Sequence, residues 1–106
     1  MNKDFKNSEL EPWNAKIQIA ENIVPIIKGY RDLIASESSY SVPNWVVDDG
    51  ESLNEKEIKQ RWLNYLDIMI KAFELELEGE VINEVLRKEQ NYGLTLFAKY
   101  YVHLWD

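Results

Sequence analysis

The amino-acid sequence predicts an all-α protein, an antiparallel three-helix bundle with a long, partly ordered loop between helices 1 and 2. Large apolar side chains recur every three or four residues in three separate segments, which is the spacing of one helix face. Each segment has about 20 or more residues and would form a helix about 30 Å long. The 106 residues, of which 45% are hydrophobic, suffice for one domain with a single core.

The second predicted helix organises the rest of the chain. Its largest side chains line one face between residues 58 and 77: Ile58, Trp62, Leu66, Met69, Phe73 and Leu77. Two pairs of residues just upstream have the spacing of a capping box: Ser52 with Glu55, and Asn54 with Glu57. In such a box, two side chains bond the free backbone N–H groups at the start of a helix. The sequence therefore predicts a helix from about residue 53 to residue 78.

The first predicted helix follows a flexible, polar N-terminal arm of residues 1–12, and residues 13–106 form the single helical domain. Its apolar positions keep the helical spacing: Ile17, Ala20, Ile23 or Val24, Ile27, Tyr30 and Ile34. Pro25 lies inside this pattern, where it removes one backbone hydrogen bond and clashes with the preceding turn. The sequence therefore predicts a kink or break near residues 22–24.

The third predicted helix begins after a tight, exposed corner at Gly79. It continues the apolar period from Ile82 to Leu104, near the last residue. Gly93 lies within its apolar stripe. We interpret this glycine as allowing close approach of another helix, with a helix break as the alternative.

The connection from Ser36 to Leu53 mixes turn-forming residues with apolar side chains: Tyr40, Val42, Pro43, Trp45, Val46 and Val47. A connection longer than about 12 residues without structure of its own usually has a task. This one holds too many apolar side chains for disorder. Tyr40 and Trp45 are predicted to form a lid over a ligand pocket.

The apolar stripes of the three segments are wider than a single helical seam requires. The residues outside the narrowest seams are Ile19, Ile26, Leu63, Ile70, Leu75, Leu94, Tyr101 and Trp105. An exposed apolar patch of this size marks an interface. We therefore predict a homodimer or larger oligomer through the second and third helices, with these interface residues: Trp62, Met69, Phe73, Gly93, Phe97, Tyr101 and Trp105.

Composition argues against several classes of protein. The formal net charge of -7 disfavours direct binding to nucleic acid, which needs a field of Lys and Arg. Without cysteine there is no disulfide and no thiolate metal site, and no apolar run of about 18 residues predicts a membrane span. His103 is the only histidine and has no second ligand at metal spacing. We expect a cytoplasmic protein that is not an enzyme and holds no metal or cofactor.

Aromatic and basic residues of the third helix share one face at spacings of four, three and four: Lys88, Tyr92, Thr95 and Lys99. On the second helix, Arg61 and Tyr65 lie one turn apart. Aromatic planes with a few cations suit a nucleotide, because bases stack and phosphates pair with charge. Arg61, Tyr65, Lys88, Tyr92 and Lys99 are therefore the candidate ligand-binding residues. The alternative is that the tyrosines border the core and the lysines keep the surface solvated.

Asp67 also has two interpretations. It can reach Lys71, four residues on, in a helix-surface ion pair worth a few tenths of a kcal/mol. Alternatively it lies at a helix interface, where it fixes register or binds a ligand hydroxyl.

Two motifs resemble a family of small phage and prophage proteins of uncharacterised function. The first is W-x3-L-D-x-M-I-x-A-F-E from Trp62 to Glu74, and the second is G-L-x-L-F-A-K-Y-[FY]-x2-L-W from Gly93 to Trp105. The resemblance also includes Trp13-Asn14 and the segment 23–27. It implies a phage-encoded protein in the host bacterial cytosol, and small phage proteins of this size are often non-enzymatic and counter host defence.

Two functional hypotheses follow, with a structural accessory role as a third. In the first, an oligomeric helical protein sequesters a small nucleotide-type immune signal in a pocket at the subunit interface. In the second, an acidic protein-binding inhibitor or nucleic-acid mimic engages a basic surface of a host defence protein. The carboxylates for the second hypothesis form two groups: Asp48, Asp49, Glu51, Glu55 and Glu57, and Glu74, Glu76, Glu78 and Glu80.

Overall fold

Three α-helices make up most of the computed structural model, which describes residues 12–36, 42–79 and 83–104. They are α1 (Ala15–Ser36), α2 (Glu55–Leu77) and α3 (Glu84–Tyr100). Short 3-10 helices precede α1 at Pro12–Asn14, interrupt the connection at Asn44–Val46 and follow α3 at Tyr101–His103. The described residues contain no strand, so the predicted all-α three-helix fold with its long connection is confirmed. Except for Pro12, the predicted N-terminal arm lies outside the described residues.

The second helix is the centre of the fold. α1 and α3 each pack along α2, while no Cα of α1 lies within 8 Å of a Cα of α3. α1 is antiparallel to α2, since Lys16 pairs with Glu76 and Arg31 with Asp67. α3 is antiparallel to α2, since Gln90 bonds Glu76 and Tyr100 meets Trp62. The Cα atoms extend 49 × 34 × 20 Å. The chain is thus a flat row of three helices, in which α2 has a neighbour on each side.

This central position explains the wide apolar stripe of α2. The buried residues of α2 are Ile58, Trp62, Leu63, Leu66, Met69, Ile70, Ala72, Phe73 and Leu75. Fewer are buried in the outer helices, and in α1 they are Ala20, Val24, Ile27 and Ile34. Leu63, Ile70 and Leu75, which the sequence placed outside the narrow seam, are buried because α2 packs on two sides. Leu77, predicted on the core face, is 41% exposed at the end of the helix.

Side-chain caps set where α2 and α3 begin. The Asn54 side chain accepts a 2.8 Å hydrogen bond from the Glu57 backbone N–H, and the Glu57 carboxylate accepts a 3.0 Å bond from the Asn54 N–H. This is the second of the two predicted capping boxes. At α3, the Asn83 side chain accepts from the N–H groups of Val85 and Leu86. These bonds satisfy donors that a helix start leaves free.

The first helix is continuous through Pro25, so the break predicted near residues 22–24 does not occur. Pro25 is exposed, which leaves its ring on the solvent side. Ala20, Val24 and Ile27 are buried on the other side, and their packing against α2 holds the helix together where one backbone bond is missing. Within the described residues, no helix is both long and apolar enough to cross a lipid bilayer.

Gly93 brings α3 into close contact with α2, as predicted. A Cβ built at this position would lie 2.5 Å from the Ala72 Cβ and 2.7 Å from the Ile68 carbonyl oxygen. Both distances are too short for any side chain. The backbones of α2 and α3 therefore approach each other at a point that only glycine permits.

We predict that Gly93→Ala lowers the free energy of unfolding by about 1–3 kcal/mol, because the added methyl group forces two backbones apart. Urea denaturation followed by circular dichroism measures the change. The matched control is Gly29→Ala in α1, where an added Cβ meets nothing within 4 Å. This control should stabilise the protein by about 0.5–1 kcal/mol through better helix propensity. Equal effects of the two substitutions would contradict the close contact.

Candidate functional site

One arginine holds the connection between α1 and α2 against the bundle. The Arg61 guanidinium donates two hydrogen bonds to the Glu51 carboxylate, one from each terminal nitrogen, and a 3.1 Å bond to the Val46 carbonyl. Glu51 also accepts a 2.8 Å bond from the backbone N–H of Asp48. The Arg61 bonds first, and then the Asp48 bond, lower the pKa of Glu51 from 4.5 to about 2. Glu51 therefore remains ionised and Arg61 remains occupied at neutral pH.

Trp45 anchors the same segment in an aromatic cluster. Its indole lies parallel to the His103 imidazole, with 4.5 Å between ring centroids, and meets the Trp62 indole edge to face at 5.4 Å. The Tyr30 hydroxyl donates to the His103 carbonyl at 3.3 Å, which ties α1 to the turn after α3. Trp45, predicted as a lid, is thus packed against the core. Tyr40, the other predicted lid residue, lies outside the described residues.

Four of the five residues predicted to bind a nucleotide lie along the junction of α2 and α3. Tyr65 stacks on Tyr100, with ring centroids 5.6 Å apart, and Lys99 Nζ lies 5.1 Å from the centre of the Tyr100 ring. Burial, then the neighbouring Tyr100, raises the pKa of Tyr65, while the positive charge of Arg61 acts in the opposite direction. The sequence thus identified residues that are neighbours in space.

The charges along this junction do not combine into a phosphate site. Lys88, the fifth predicted residue, lies near the start of α3 and pairs with Glu84 at 4.0 Å. Arg61 is already bound by a carboxylate. Lys99 lies over an aromatic ring, and the carboxylate of Asp48 is near enough to contribute to the raised pKa of Lys99, behind the larger effect of Tyr100. The cations are therefore balanced by the chain's own groups.

A cavity of about 270 Å³ opens between α2 and α3 beside Tyr92. Its lining residues are Asp67, Ile68, Lys71, Glu89 and Tyr92. Asp67 accepts hydrogen bonds from Arg31 of α1, at 2.9 Å from Nε and 3.2 Å from Nη2. Arg31 offsets the charge of Asp67, and Lys71 offsets that of Glu89, so the rim has no excess positive charge to attract a phosphate group.

The predicted acidic group at the end of α2 supports the packing of helices. Its carboxylates form ion pairs, with these partners: Glu74 with Lys28 at 2.9 Å, Glu76 with Lys16 at 3.5 Å and Glu78 with Lys71 at 3.7 Å. Glu76 also accepts a 2.9 Å bond from the side chain of Gln90 in α3. Glu80 lies outside the described residues. This group thus joins α2 to both neighbours and is less available to a partner.

The other acidic group, between residues 48 and 57, is only partly structural. Glu51 binds Arg61, and Glu57 completes the capping box of α2. The remaining members, Asp48, Asp49 and Glu55, are exposed, and in the described part of the chain their carboxylates form no ion pair. We call the stretch that carries these three carboxylates, residues 48–55, the acidic segment.

Most residues predicted for a subunit interface belong to the core of this chain. Four are buried: Trp62, Met69, Phe73 and Gly93. Phe97 is half-buried and meets Phe73 edge to face at 5.2 Å, while Tyr101 is 63% exposed. Trp105 lies outside the described residues. Four of the seven predicted interface residues are therefore buried within a single chain, and the homo-oligomer itself stays a prediction.

Exposed apolar side chains lie instead on the two outer helices and beyond α3. On α1 they are Ile19, Ile26 and Leu33, and on α3 and the turn after it they include Val85, Leu94, Tyr101 and Val102. Four of these residues were predicted from the sequence to lie outside the narrowest apolar seams: Ile19, Ile26, Leu94 and Tyr101. The outer helices each pack on one side only, so their opposite faces remain open.

Two interactions escaped the sequence analysis because they join distant segments. Asp67 pairs with Arg31 of α1 and not with Lys71, and this places Asp67 at a helix interface, the second of its two interpretations. The clamp of Arg61 on Glu51 spans ten residues and a turn. Spacing along a helix identifies partners within that helix only, so neither pair has a periodic signal.

Comparison of the chain with protein-family models, with curated proteins and with solved structures finds no match. The function proposed below therefore rests on the contacts and charges of the described residues and on the sequence motifs.

We predict that Glu51→Gln destabilises the protein at neutral pH and that this effect disappears as the pH falls below about 2. The folded-state pKa of Glu51 is lowered, so its contribution is present above 4.5 and is lost as the pH falls through about 2. The measurement is the free energy of unfolding in urea over this pH range, for the variant and for the natural chain.

Glu55→Gln is the matched control, because Glu55 is exposed and lacks an ion pair in the described residues. Its stability relative to the natural chain should change little with pH. A pH dependence shared by both variants would show that the clamp does not carry the effect.

Proposed function

We propose that this chain is a non-catalytic, acidic protein-binding module that inhibits a partner by occupying a basic surface. The observation that carries the proposal is the acidic segment, in which three exposed carboxylates lie beside a clamp that fixes the backbone between them. The segment includes the turn at Gly50, whose φ of +83° suits glycine.

Rigidity supports a binding role for the acidic segment. The clamp of Arg61 on Glu51, the anchor at Trp45 and the capping box of Asn54 hold the backbone on both sides of Asp48 and Asp49. A surface that is already ordered loses less conformational entropy on binding, which improves affinity. Fixed carboxylates also steer a basic partner toward one orientation.

The distribution of charge along the chain supports the same proposal. Residues 37–54 contain four Asp or Glu and no Lys or Arg. In contrast, α1 contains three Lys or Arg and two Asp or Glu. The negative charge of the chain is therefore concentrated between helices, where it repels other acidic molecules and attracts cations over about a Debye length.

The setting of this function is part of the proposal. The motifs at Trp62 to Glu74 and Gly93 to Trp105 resemble small phage and prophage proteins, which suggests that the partner is a host defence protein in the bacterial cytosol. A basic surface that normally binds nucleic acid fits an acidic mimic. A structural accessory role for the chain is a further hypothesis.

Sequestration of a nucleotide receives less support from this geometry. Arg61 and Lys88 are paired with carboxylates, and the rim of the cavity beside Tyr92 has no excess positive charge. A nucleotide pocket would need cations contributed by a second copy. Native mass spectrometry with a panel of cyclic and linear nucleotides tests this directly, and a stoichiometric adduct would favour sequestration over protein binding.

We predict that the double variant Asp48→Lys, Asp49→Lys abolishes binding to the partner of the natural chain. The partner is identified by affinity capture from the bacterial host, purified, and titrated by calorimetry at increasing salt. Affinity for the natural chain should fall steeply with salt, because opposite charges attract through screened solvent.

The control is Glu84→Lys, Glu89→Lys on α3, which changes the net charge by the same amount at a distant surface. This variant should bind like the natural chain. An equal loss in both double variants would show that total charge, and not the acidic segment, governs binding. Unchanged binding in both would contradict the proposal.

A further inference from the structure

The exposed face of α1 carries three large aliphatic side chains at an even spacing. Ile19, Ile26 and Leu33 are seven residues apart, and they are 53%, 69% and 56% exposed. Seven residues make almost two full helical turns, so the three side chains follow one line along the helix over about 21 Å. We call these three residues the α1 stripe. A line of this kind on a helix is typical of a surface that packs against another helix.

The residues beside the α1 stripe are uncharged. Asn22 and Gly29 lie on one edge, and Ile23 and Tyr30 lie on the other, where they are half-buried against the core. The three basic residues of α1 form ion pairs with α2: Lys16, Lys28 and Arg31. A partner of this surface therefore meets no charge along the stripe, although the chain as a whole carries -7.

The spacing of the α1 stripe is symmetric about its centre. If a second α1 runs antiparallel across a two-fold axis at Ile26, each Ile26 meets its own copy and Ile19 meets the partner's Leu33. On the edges, Ile23 comes opposite the partner's Tyr30, and Asn22 comes opposite the partner's Gly29. Ile23 thus packs against the ring of the partner's Tyr30. The partner's Gly29 has no side chain and leaves room for the side chain of Asn22. Such an isologous contact is what two-fold symmetry requires.

The position of the negative charge favours the antiparallel direction. Trp45, next to the acidic segment, packs on Trp62, which meets Tyr30 in the C-terminal half of α1. Parallel pairing would bring two acidic segments to the same end of the dimer. Antiparallel pairing puts them in opposite halves of the dimer, where their mutual repulsion is weaker because it falls with distance and is screened by salt.

We infer that this chain forms a two-fold symmetric homodimer through the α1 stripe, with the two α1 helices antiparallel. This interface replaces α2 and α3 as the predicted contact. It is separate from the acidic segment, so each dimer presents two acidic surfaces at opposite ends. Self-association and partner binding are therefore independent properties of the chain.

The first test is the mass of the protein in solution, measured by sedimentation over a concentration series. The natural chain should approach twice 12.6 kDa, and Ile26→Lys should remain at 12.6 kDa at every concentration. Val85→Lys on α3, where Val85 is 65% exposed, is the control and should dimerise like the natural chain. A monomeric natural chain, or a dimeric Ile26→Lys, overturns the inference. Circular dichroism should show the same helix content for all three, since both positions are exposed.

The second test determines the direction of pairing and uses the absence of cysteine in the natural sequence. Under mild oxidation, Ile26→Cys should form a disulfide-linked dimer, because a disulfide needs Cβ atoms within about 4.5 Å. Ile19→Cys and Leu33→Cys should cross-link when mixed and not when oxidised separately. Cross-linking of Ile19→Cys with itself would indicate parallel pairing and overturn the inference. Val85→Cys should not cross-link.

Discussion

At one end of α2, the indole of Trp62 contacts α1, α3 and the connection that precedes α2. Tyr30 of α1, Trp45 of the connection and Tyr100 of α3 each meet it edge to face, with ring centroids 5.4 to 6.3 Å apart. Edge-to-face packing places the positive edge of one ring on the negative face of another. This arrangement matters here because the buried indole N–H groups of Trp45 and Trp62 find no hydrogen-bond acceptor among the described residues. The aromatic contacts offset that cost, and the cluster is a single packing unit.

The proposed binding surface depends on this cluster. Trp45 is held against Trp62, and Arg61 directly precedes Trp62 in α2. The residues that follow Trp45 therefore lie within reach of Arg61. Arg61 then fixes Glu51, and the exposed carboxylates of the acidic segment have a defined position as a result. A side chain in the core thus positions charges at the surface. The residues most often assigned to binding, aromatic and basic ones, are here the support, while the acidic ones remain accessible.

The sequence predicted the helices and the faces they bury, because helical periodicity and capping are local. It also predicted the close approach at Gly93, since a glycine inside an apolar stripe leaves space for the backbone of a neighbouring helix. It did not predict that α2 would have neighbours on two sides. The width of the α2 stripe was interpreted as a sign of an oligomer, although Leu63, Ile70 and Leu75 are buried within one chain.

The candidate site was less accessible to sequence reasoning. Helical spacing placed Tyr92 and Lys99 on one face of the third helix, and Arg61 and Tyr65 one turn apart on the second, while their role in binding a ligand stays a prediction. Nothing in the spacing reveals that Arg61 is occupied by Glu51 or that Asp67 is bound by Arg31, since both partners come from other segments. Whether a charged side chain is available to a ligand depends on its tertiary contacts. Helical periodicity in the sequence does not predict contacts between distant segments.

The arrangement of α1 and α3 on opposite sides of α2 has a consequence for motion. No Cα atoms of the two outer helices lie within 8 Å of each other, and at the aromatic end the Tyr30 hydroxyl bonds the His103 carbonyl. Separation of one outer helix from α2 would therefore leave the packing of the other outer helix on α2 in place. The molecule consists of two helical hairpins that share one helix, and amide hydrogen exchange should slow progressively toward the aromatic end.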